Sequence, residues 1–417
     1  MQNESDSQLK LIGPFRQIVT MRDLPLKGAL KDEALEVIYE GGILINSSQI
    51  VAVNSFEVLK KEFSDQLIAI DHVEEDLVAL PGFIDAHTHA CFAGSRARDY
   101  AARNNGKSYL EIAQEGGGIW STVKHVREAD KYDLIDATAK RLDKLLASGI
   151  TTVEIKSGYG LNIEHELKML RVINEIKQKH QIDIHATCLA AHIIPKDWEE
   201  GEEAYLQLII DELVPKVKEE KLCHRFDIFI EEGAFSVETA KSYLNTLKER
   251  GFQLTVHGDQ FHPGGSQVAI DCRAISVDHL EASGDSEIAA LSKSDVIPVA
   301  LPGASIGLGC AFTPARKLLD QGCSLAIASD WNPGSAPQGN LLTQAAILGT
   351  FEKLSTAEVF AGITFRAAKV LGLNDRGSLD KNMIADIIAF PTKDYREILY
   401  HQGELRVSKV WKKGERL

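Results

Sequence analysis

Two histidines stand two positions apart, at His87 and His89, in the segment LPGFIDAHTHACF. On an extended strand, residues two apart point to the same side, so both imidazoles can reach one metal ion. A His-x-His pair is also common by chance. Metal binding is favoured here because the pair closes an apolar run that follows Pro-Gly, which is typical of the end of a buried strand.

Two further candidate ligands lie far away in the sequence, His257 in LTVHGDQ and Asp330 in LAIASDWNPG. Three imidazoles and one carboxylate suit zinc or ferrous iron and leave a position open for water. Taken alone, His257 is equally well explained as a core histidine, and Asp330 as a cap or turn residue. Together with the histidine pair, they predict a site for a divalent ion.

A site of this kind predicts hydrolysis. A divalent ion lowers the pKa of a bound water to roughly 7 and polarises an adjacent carbonyl group. Asp330 can hold the ion, take a proton from the attacking water and pass it to the leaving nitrogen. His279, in SVDHLEAS, can stabilise the developing oxyanion or assist proton transfer, and a structural histidine is the alternative.

The central part of the chain alternates apolar, strand-like runs with amphipathic helices such as DLIDATAKRLDKLLASG, an order that predicts a parallel sheet. Eight such units predict an α/β fold of the (β/α)8 type, a TIM-like barrel, although other α/β folds also reach eight strands. The predicted strands are 82–87, 150–156, 182–190, 226–232, 252–258, 274–280, 296–301 and 324–330.

Both ends of the chain carry β-rich segments punctuated by Gly, Asn and Asp, as antiparallel hairpins are. These segments are EVIYEGGILINSSQIVAV near one end and ADIIAFP and LRVSKVWKKGE near the other. Neither end is long enough for its own core, so we expect both ends to meet in one small β-sandwich. The expected division is residues 1–80 and 376–417 in the β-sandwich and residues 81–375 in the barrel.

The polar candidates fall where such a barrel carries its reacting groups, at the carboxyl ends of the strands. The residues at or just past these ends are His87, His192, His257, His279 and Asp330. The strand bodies consist of Val, Ile, Leu and Ala. Chance placement does not readily produce this pattern, which therefore supports a barrel with its site at one mouth.

Composition argues against several partners. The chain has 60 acidic and 46 basic side chains and a formal net charge of -14, which disfavours nucleic acid and anionic membranes. No segment approaches the roughly 18 apolar residues of a membrane helix, and MQNESDSQLK is unlike a secretory signal. The six cysteines include no Cys-x-x-Cys pair, so we expect reduced thiols in a cytoplasmic protein that acts on a small molecule.

The strand-end pattern resembles that of the metal-dependent amidohydrolase superfamily, with His-x-His at strand one, His at strands five and six, and Asp at strand eight. Members with two metals carry a carboxylated lysine at strand four, where this sequence has Glu231 and Glu232. Lys156 ends strand two, which is the wrong place for that role, so we expect one metal ion. The resemblance implies these metal ligands: His87, His89, His257 and Asp330.

Within the superfamily, the chain resembles the imidazolonepropionase family through DAHTHACFAGSRARDY, EGGGIWSTV, EIKSGYGL, AAHIIP, VHGDQFHPGG, VDHLE and SDWNPGSAP, in the same order. The resemblance implies hydrolysis of the cyclic amide of 4-imidazolone-5-propanoate to N-formimino-L-glutamate, in histidine degradation, by a homodimer. The implied substrate contacts are Arg96, Tyr159, His192 and Gln260, with Asn332, Gly334 and Ser335 on the product side.

Two of the implied contacts carry a chemical argument of their own. A guanidinium binds a carboxylate through two hydrogen bonds, so Arg96 suits a propionate tail, with Arg98 and Arg103 as alternatives. Related amidohydrolases often have His-x-x-Glu at strand five, whereas here the motif ends in Gln260. A neutral amide cannot transfer protons, so we expect Gln260 to orient the substrate ring.

Two other functions remain open at this point. A nucleobase or aminopyrimidine deaminase uses the same metal ligands and releases ammonia. A non-catalytic barrel that binds metal and a partner protein shows no turnover of any ring amide. Gln260 in place of Glu and the arginine near strand one argue mildly against a deaminase, and nothing in the sequence resembles an exposed docking motif.

Overall fold

The computed structural model describes residues 9–107 and 109–417, so residues 1–8 of the predicted N-terminal part lie outside the described residues. Within these ranges the strands form two eight-stranded sheets. The strands are β1 (Leu9–Val19), β2 (Val37–Asn46), β3 (Gln49–Ser55), β4 (Ile68–His72), β5 (Val78–Pro81), β6 (Phe83–Asp85), β7 (Ile150–Lys156), β8 (Asp183–Ala191), β9 (Arg225–Ile228), β10 (Gln253–Gly258), β11 (Ser276–His279), β12 (Ile297–Ala300), β13 (Ala326–Ile327), β14 (Ile387–Phe390), β15 (Lys409–Lys412) and β16 (Glu415–Arg416).

Most of the helices lie between the strands of the second sheet. They are α1 (Phe56–Glu62), α2 (Ala97–Asn104), α3 (Tyr109–Gln114), α4 (Ile119–Glu128), α5 (Lys131–Ala147), α6 (Ile163–Lys177), α7 (Gly201–Leu208), α8 (Val214–Glu219), α9 (Val237–Glu249), α10 (Gly265–Cys272), α11 (Asp285–Ser292), α12 (Pro302–Leu308), α13 (Ala315–Asp320), α14 (Leu341–Glu352), α15 (Thr356–Gly362), α16 (Phe365–Val370) and α17 (Arg396–Tyr400). A 3-10 turn spans Asp32–Ala34, and a π-helical turn spans Ile209–Leu213. No helix in the described ranges is long and apolar enough to cross a membrane.

The second sheet is the predicted barrel. Strands β6 to β13 pair in sequence order, and every pairing is parallel. The first and last strands meet just beyond their ends, where Asp330 N donates to His87 O at 3.0 Å and His89 N donates to Trp331 O at 2.9 Å. These bonds bring the two ends of the sheet together, and the expected (β/α)8 barrel is confirmed.

Each of the eight predicted strands is present, although several are shorter than expected. The fourth ends at Ile228 because Phe229 and Ile230 make only isolated bridges. The helix predicted in DLIDATAKRLDKLLASG is α5, which Asp130 caps by accepting from the backbone N–H of Tyr132. Gly149, at φ 90°, then turns the chain into β7, a conformation that glycine adopts without strain.

The first sheet joins both ends of the chain. Its central strand β5 pairs with β1 from the N-terminal part and with β14 from the C-terminal part. β1 also pairs in antiparallel fashion with β2 and in parallel fashion with β4. The expected fold class, a barrel with a small β-unit built from both chain ends, is confirmed, and the part expected as a β-sandwich is one mixed eight-stranded sheet. The boundaries at residues 80/81 and 375/376 stay a prediction.

One half-buried carboxylate ties this sheet to the barrel. Asp183, at the start of β8, lies 2.7 Å from the guanidinium of Arg376, 2.8 Å from Lys412 Nζ and 2.9 Å from Lys413 Nζ. Burial opposes ionisation of Asp183, but the three cations outweigh it and hold the pKa of this carboxyl well below its usual range. The link lies at the amino end of a barrel strand, away from the mouth that carries the predicted site.

Candidate functional site

The four predicted metal ligands converge at the carboxyl ends of the barrel strands. His89 Nε2 lies 3.3 Å from His87 Nε2 and 3.4 Å from His257 Nε2. Asp330 Oδ1 lies 3.5 Å from His87 Nε2 and 3.4 Å from His89 Nε2. All four side chains are buried. Residues separated by up to 243 positions in the sequence thus present their ligand atoms to one point.

The spacing of these atoms fits a metal ion. Two ligands of a tetrahedral zinc, each about 2.0 to 2.1 Å from the ion, lie about 3.3 to 3.4 Å apart. Two of the rings are also held from behind, as ligating imidazoles usually are. His87 Nδ1 donates to Asp278 Oδ2 at 2.6 Å, and His257 Nδ1 lies 2.9 Å from Asp227 Oδ2. The donor set therefore fits a divalent cation held by three imidazoles and one carboxylate.

Burial and local charge set the protonation of these ligands. Burial lowers the pKa of His89 to about 3 and that of His257 well below its usual value, so both rings are neutral at pH 7. Burial and Lys156 oppose protonation of His87, but Asp278 and Asp330 outweigh them and raise its pKa to about 9. Cation binding at His87 Nε2 therefore requires the loss of a proton.

The backbone around the site is locally strained. Asp330, at φ 52°, lies in the left-handed region, as do the consecutive residues His279, at φ 89°, and Leu280, at φ 71°. Non-glycine residues rarely adopt this conformation, and they persist in it where surrounding structure holds them. The hydroxyl of Thr313 donates to His279 O at 2.5 Å and fixes one of these positions. Both proposed proton-transfer residues thus project from strained strand ends.

A cavity of about 670 Å³ opens above the four ligands. A cavity of this size suits a small ligand. Ten of the predicted site residues line it together with His89, and His87 lies next to it. The lining set is Arg96, Tyr159, His192, His257, Gln260, His279, Asp330, Asn332, Gly334 and Ser335.

The guanidinium of Arg96 is held in the cavity wall. Its Nε donates to Asp99 Oδ2 at 2.6 Å, and the same oxygen accepts the backbone N–H of Gly118 at 2.8 Å. Gly334 approaches so closely that a Cβ there would lie 2.8 Å from Arg96 Nη1. Of the two alternatives, Arg103 also lines the cavity, whereas Arg98 is exposed and is not part of its lining.

Tyr159 and His192 belong to one braced corner of the cavity. The buried carboxylate of Glu166 accepts the backbone N–H groups of Gly158 at 3.0 Å and Gly160 at 2.7 Å, on either side of Tyr159. His192 Nδ1 donates to Gly158 O at 3.0 Å, which leaves Nε2 as an acceptor. Burial lowers the pKa of His192 to about 4, so its ring is neutral at pH 7.

Asn332 organises the loop that follows Asp330. Its Nδ2 donates to Asp330 Oδ2 at 2.9 Å, while Asp330 Oδ1 faces the histidines. Its Oδ1 accepts the backbone N–H groups of Gly334 at 2.7 Å and Ser335 at 2.8 Å. The side chain predicted to line the product side therefore also orients the carboxylate of Asp330.

Comparison with known proteins agrees with this geometry. The profile of the amidohydrolase family matches residues 78–417. This chain belongs to the amidohydrolase family. That family is metal-dependent, and the cluster of His87, His89 and His257 is suited to hold its metal.

Curated relatives of this amidohydrolase carry the name imidazolonepropionase. The protein from Herpetosiphon aurantiacus is 40% identical over 97% of this chain and 96% of its own length. The protein from Bdellovibrio bacteriovorus is 38% identical over 93% of this chain and 91% of its own length. The similarity therefore covers the β-rich ends as well as the barrel.

Two solved structures of deaminases share the fold. Guanine deaminase from E. coli has a TM-score of 0.73 at 14% identity and covers 98% of this chain and 99% of its own. Adenosine deaminase from Xanthomonas campestris, with bound zinc, has a TM-score of 0.69 at 17% identity and covers 98% and 92%. At these identities the likeness shows the fold alone.

The amidohydrolase site contains buried charges that the sequence analysis missed. Asp227 and Asp278 stand behind His257 and His87, and Lys156 lies between the two carboxylates. All three are almost completely buried. A signal was available, because each is a charged residue within a short, buried strand, and buried charges are almost always paired.

Proposed function

We infer that this chain hydrolyses the cyclic amide of 4-imidazolone-5-propanoate to N-formimino-L-glutamate, a reaction of histidine degradation. Relatives that are 35 to 40% identical and named imidazolonepropionase support the substrate. Membership of the amidohydrolase family supports hydrolysis. The observation that carries the proposal is that the cluster of four metal-type ligands and the guanidinium of Arg96 meet at one cavity.

Proton transfer is assigned to Asp330, with assistance from His279. A divalent cation bound at the site supplies Lewis acidity and water activation. Asp330, ionised and held by Asn332, takes the proton of the water whose oxygen adds to the ring carbonyl carbon. The carbon–nitrogen bond then breaks, and Asp330 delivers the proton to the departing nitrogen. His279 lines the same cavity and donates a hydrogen bond to the developing oxyanion.

Substrate binding follows from the cavity wall. Arg96 binds the propionate through guanidinium N–H groups other than Nε, which Asp99 occupies. Tyr159 donates its hydroxyl and His192 accepts at Nε2, so together they recognise the donors and acceptors of the planar ring. Gln260 orients the ring through its amide. Gly334 and Ser335 line the product side together with Asn332.

The finer features of the proposal are one metal ion per chain, zinc or iron, in a cytoplasmic homodimer. Three imidazoles and one carboxylate accept both metals, and elemental analysis after aerobic and anaerobic purification distinguishes them. Light scattering of the purified chain tests the dimer. Fractionation of the source cells tests the location.

The experiment that tests the function is an absorbance assay on imidazolone propionate combined with product analysis and metal counting. We expect one metal per chain, N-formimino-L-glutamate as product, and loss of both metal and turnover in His87→Ala. Ammonia release from purines or pyrimidines, with no turnover of imidazolone propionate, would select the deaminase instead. Bound metal without any hydrolysis of ring amides would select the non-catalytic barrel.

A further inference from the structure

A buried ammonium lies next to the proposed metal centre. Lys156 Nζ, at the carboxyl end of β7, is 2.7 Å from Glu154 Oε1, 2.8 Å from Asp227 Oδ2 and 3.7 Å from Asp278 Oδ2. The side chains of Lys156, Glu154 and Asp227 are completely buried, and that of Asp278 is 1% exposed. One cation thus faces three carboxylates inside the barrel.

This ammonium lies on the far side of two ligand rings. Asp278 accepts from His87 Nδ1 at 2.6 Å, and Asp227 lies 2.9 Å from His257 Nδ1, whereas the Nε2 atoms of both rings face the proposed metal. Lys156 therefore contacts the carboxylates that hold these two ligand rings from behind.

The surroundings of Lys156 offer more metal-type ligand atoms than the lysine satisfies. Asp227, His257 and Asp278 each place a ligand atom within 4.8 Å of the other two. Asp227 Oδ2 lies 2.8 Å from Lys156 Nζ and 2.9 Å from His257 Nδ1, so a single carboxylate oxygen is shared by the ammonium and a ligand ring. Carboxylate oxygens at this density suit divalent cations such as Mn²⁺.

Charge explains why a cation is required there. Three buried carboxylates without a counter-charge are costly, because removing one partner of a buried ion pair leaves an uncompensated charge. The lysine supplies one positive charge, and its carbon chain fills the space that leads to the carboxylates. A divalent ion in the same place would supply two positive charges. It could enter once the side chain of Lys156 is shortened.

We propose that the Lys156 ammonium is a built-in cation that occupies a second cation site formed by Glu154, Asp227 and Asp278. Lys156 is thus a positioning residue that limits the barrel to one metal ion. Shortening the side chain opens the second site to a divalent cation. This inference rests on the proposed one-metal centre, and its test separates the two.

The test compares three proteins that are first stripped of bound zinc or iron with a chelator, because both bind more tightly than Mn²⁺. They are then saturated with MnCl2 and freed of loosely bound ions. The wild type tests the centre itself and should hold about one Mn²⁺ per chain. Lys156→Ala should hold about two, and its electron paramagnetic resonance spectrum should change from that of an isolated ion to that of a coupled pair. Lys156→Met, which is uncharged but fills the space, should hold no more than the wild type.

Equal Mn²⁺ content in the Ala and Met variants would overturn the inference, whatever the wild type holds. A wild type without bound metal would instead contradict the proposed centre. If the Met variant does not fold, propylammonium replaces it as the control, because it should displace the second Mn²⁺ from Lys156→Ala. If the Ala variant folds only in the presence of Mn²⁺ or propylammonium, the inference is supported. If neither cation restores folding of this variant, the result counts against the inference.

Discussion

Replacement of Arg96 by lysine tests the proposed substrate most directly. The change keeps the positive charge but removes the planar guanidinium, whose Nε donates to Asp99 at 2.6 Å and whose remaining N–H groups face the cavity. Lysine can neither bind a carboxylate through two parallel hydrogen bonds nor keep the same bond to Asp99. The variant therefore separates geometry from charge.

The expected loss in kcat/KM follows from the hydrogen bond that the lysine variant cannot make. A hydrogen bond to a charged group contributes about 1.5 to 3 kcal/mol. At about 1.4 kcal/mol per factor of ten, Arg96→Lys should lower kcat/KM by about 10- to 150-fold. The loss should appear mainly in KM, because the propionate is bound equally before and during the reaction.

The assay is steady-state turnover of imidazolone propionate, followed by absorbance, with Arg98→Lys as the matched control. Arg98 is exposed and outside the cavity lining, so its variant should retain wild-type kinetics. A substrate analogue in which the propionate is an uncharged amide should be turned over almost equally by the wild type and Arg96→Lys. If the variant loses activity equally on both substrates, Arg96 does not bind the tail.

Three further predictions follow from the contacts described above. Glu166→Gln should lower kcat/KM and cost about 1 to 3 kcal/mol of unfolding free energy, because a backbone N–H beside Tyr159 loses its acceptor. Steady-state kinetics and urea unfolding measure these two effects, and Glu164→Gln, at an exposed position, should change neither kcat/KM nor stability. Asp183→Asn should destabilise the fold at pH 7, since the lowered pKa of Asp183 makes its ionised form stabilising above the unfolded value of about 3.9. In urea unfolding, the difference in unfolding free energy between wild type and Asp183→Asn should shrink as the pH falls below about 4. A difference that grows at low pH would contradict a stabilising role for the ionised carboxylate. Gln260→Ala should raise KM several-fold with little change in kcat, because an amide transfers no proton. A large fall in kcat without a change in KM would contradict this prediction.

The barrel was predictable because its strands are short apolar runs whose ends carry the polar residues. β7 is completely buried and reads as a continuous apolar and β-branched segment apart from its two charges. Strand lengths were less predictable. β13 has only two residues, since closure of the barrel is made by the chain beyond its end, at Asp330 and Trp331.

The ligands were predictable, whereas the charges behind them were not. The spacing of His87 and His89 indicates a metal site, but the hydrogen bond from His87 to Asp278 joins residues 191 positions apart. Local sequence holds no information on which carboxylate will face which ring. The choice among Arg96, Arg98 and Arg103 was open for a similar reason. It depends on the orientation of α2, where Arg96 and Arg103 lie about two turns apart on the same face.

The sheet that joins both chain ends has a consequence for synthesis. β5 emerges from the ribosome about 300 residues before β14, the strand that covers its edge. Until translation is almost complete, that edge has unsatisfied backbone groups of the kind that pair with other chains. A product truncated just before residue 387 therefore retains every strand of the barrel, but the edge of β5 is open, and we expect aggregation or proteolysis to remove this product.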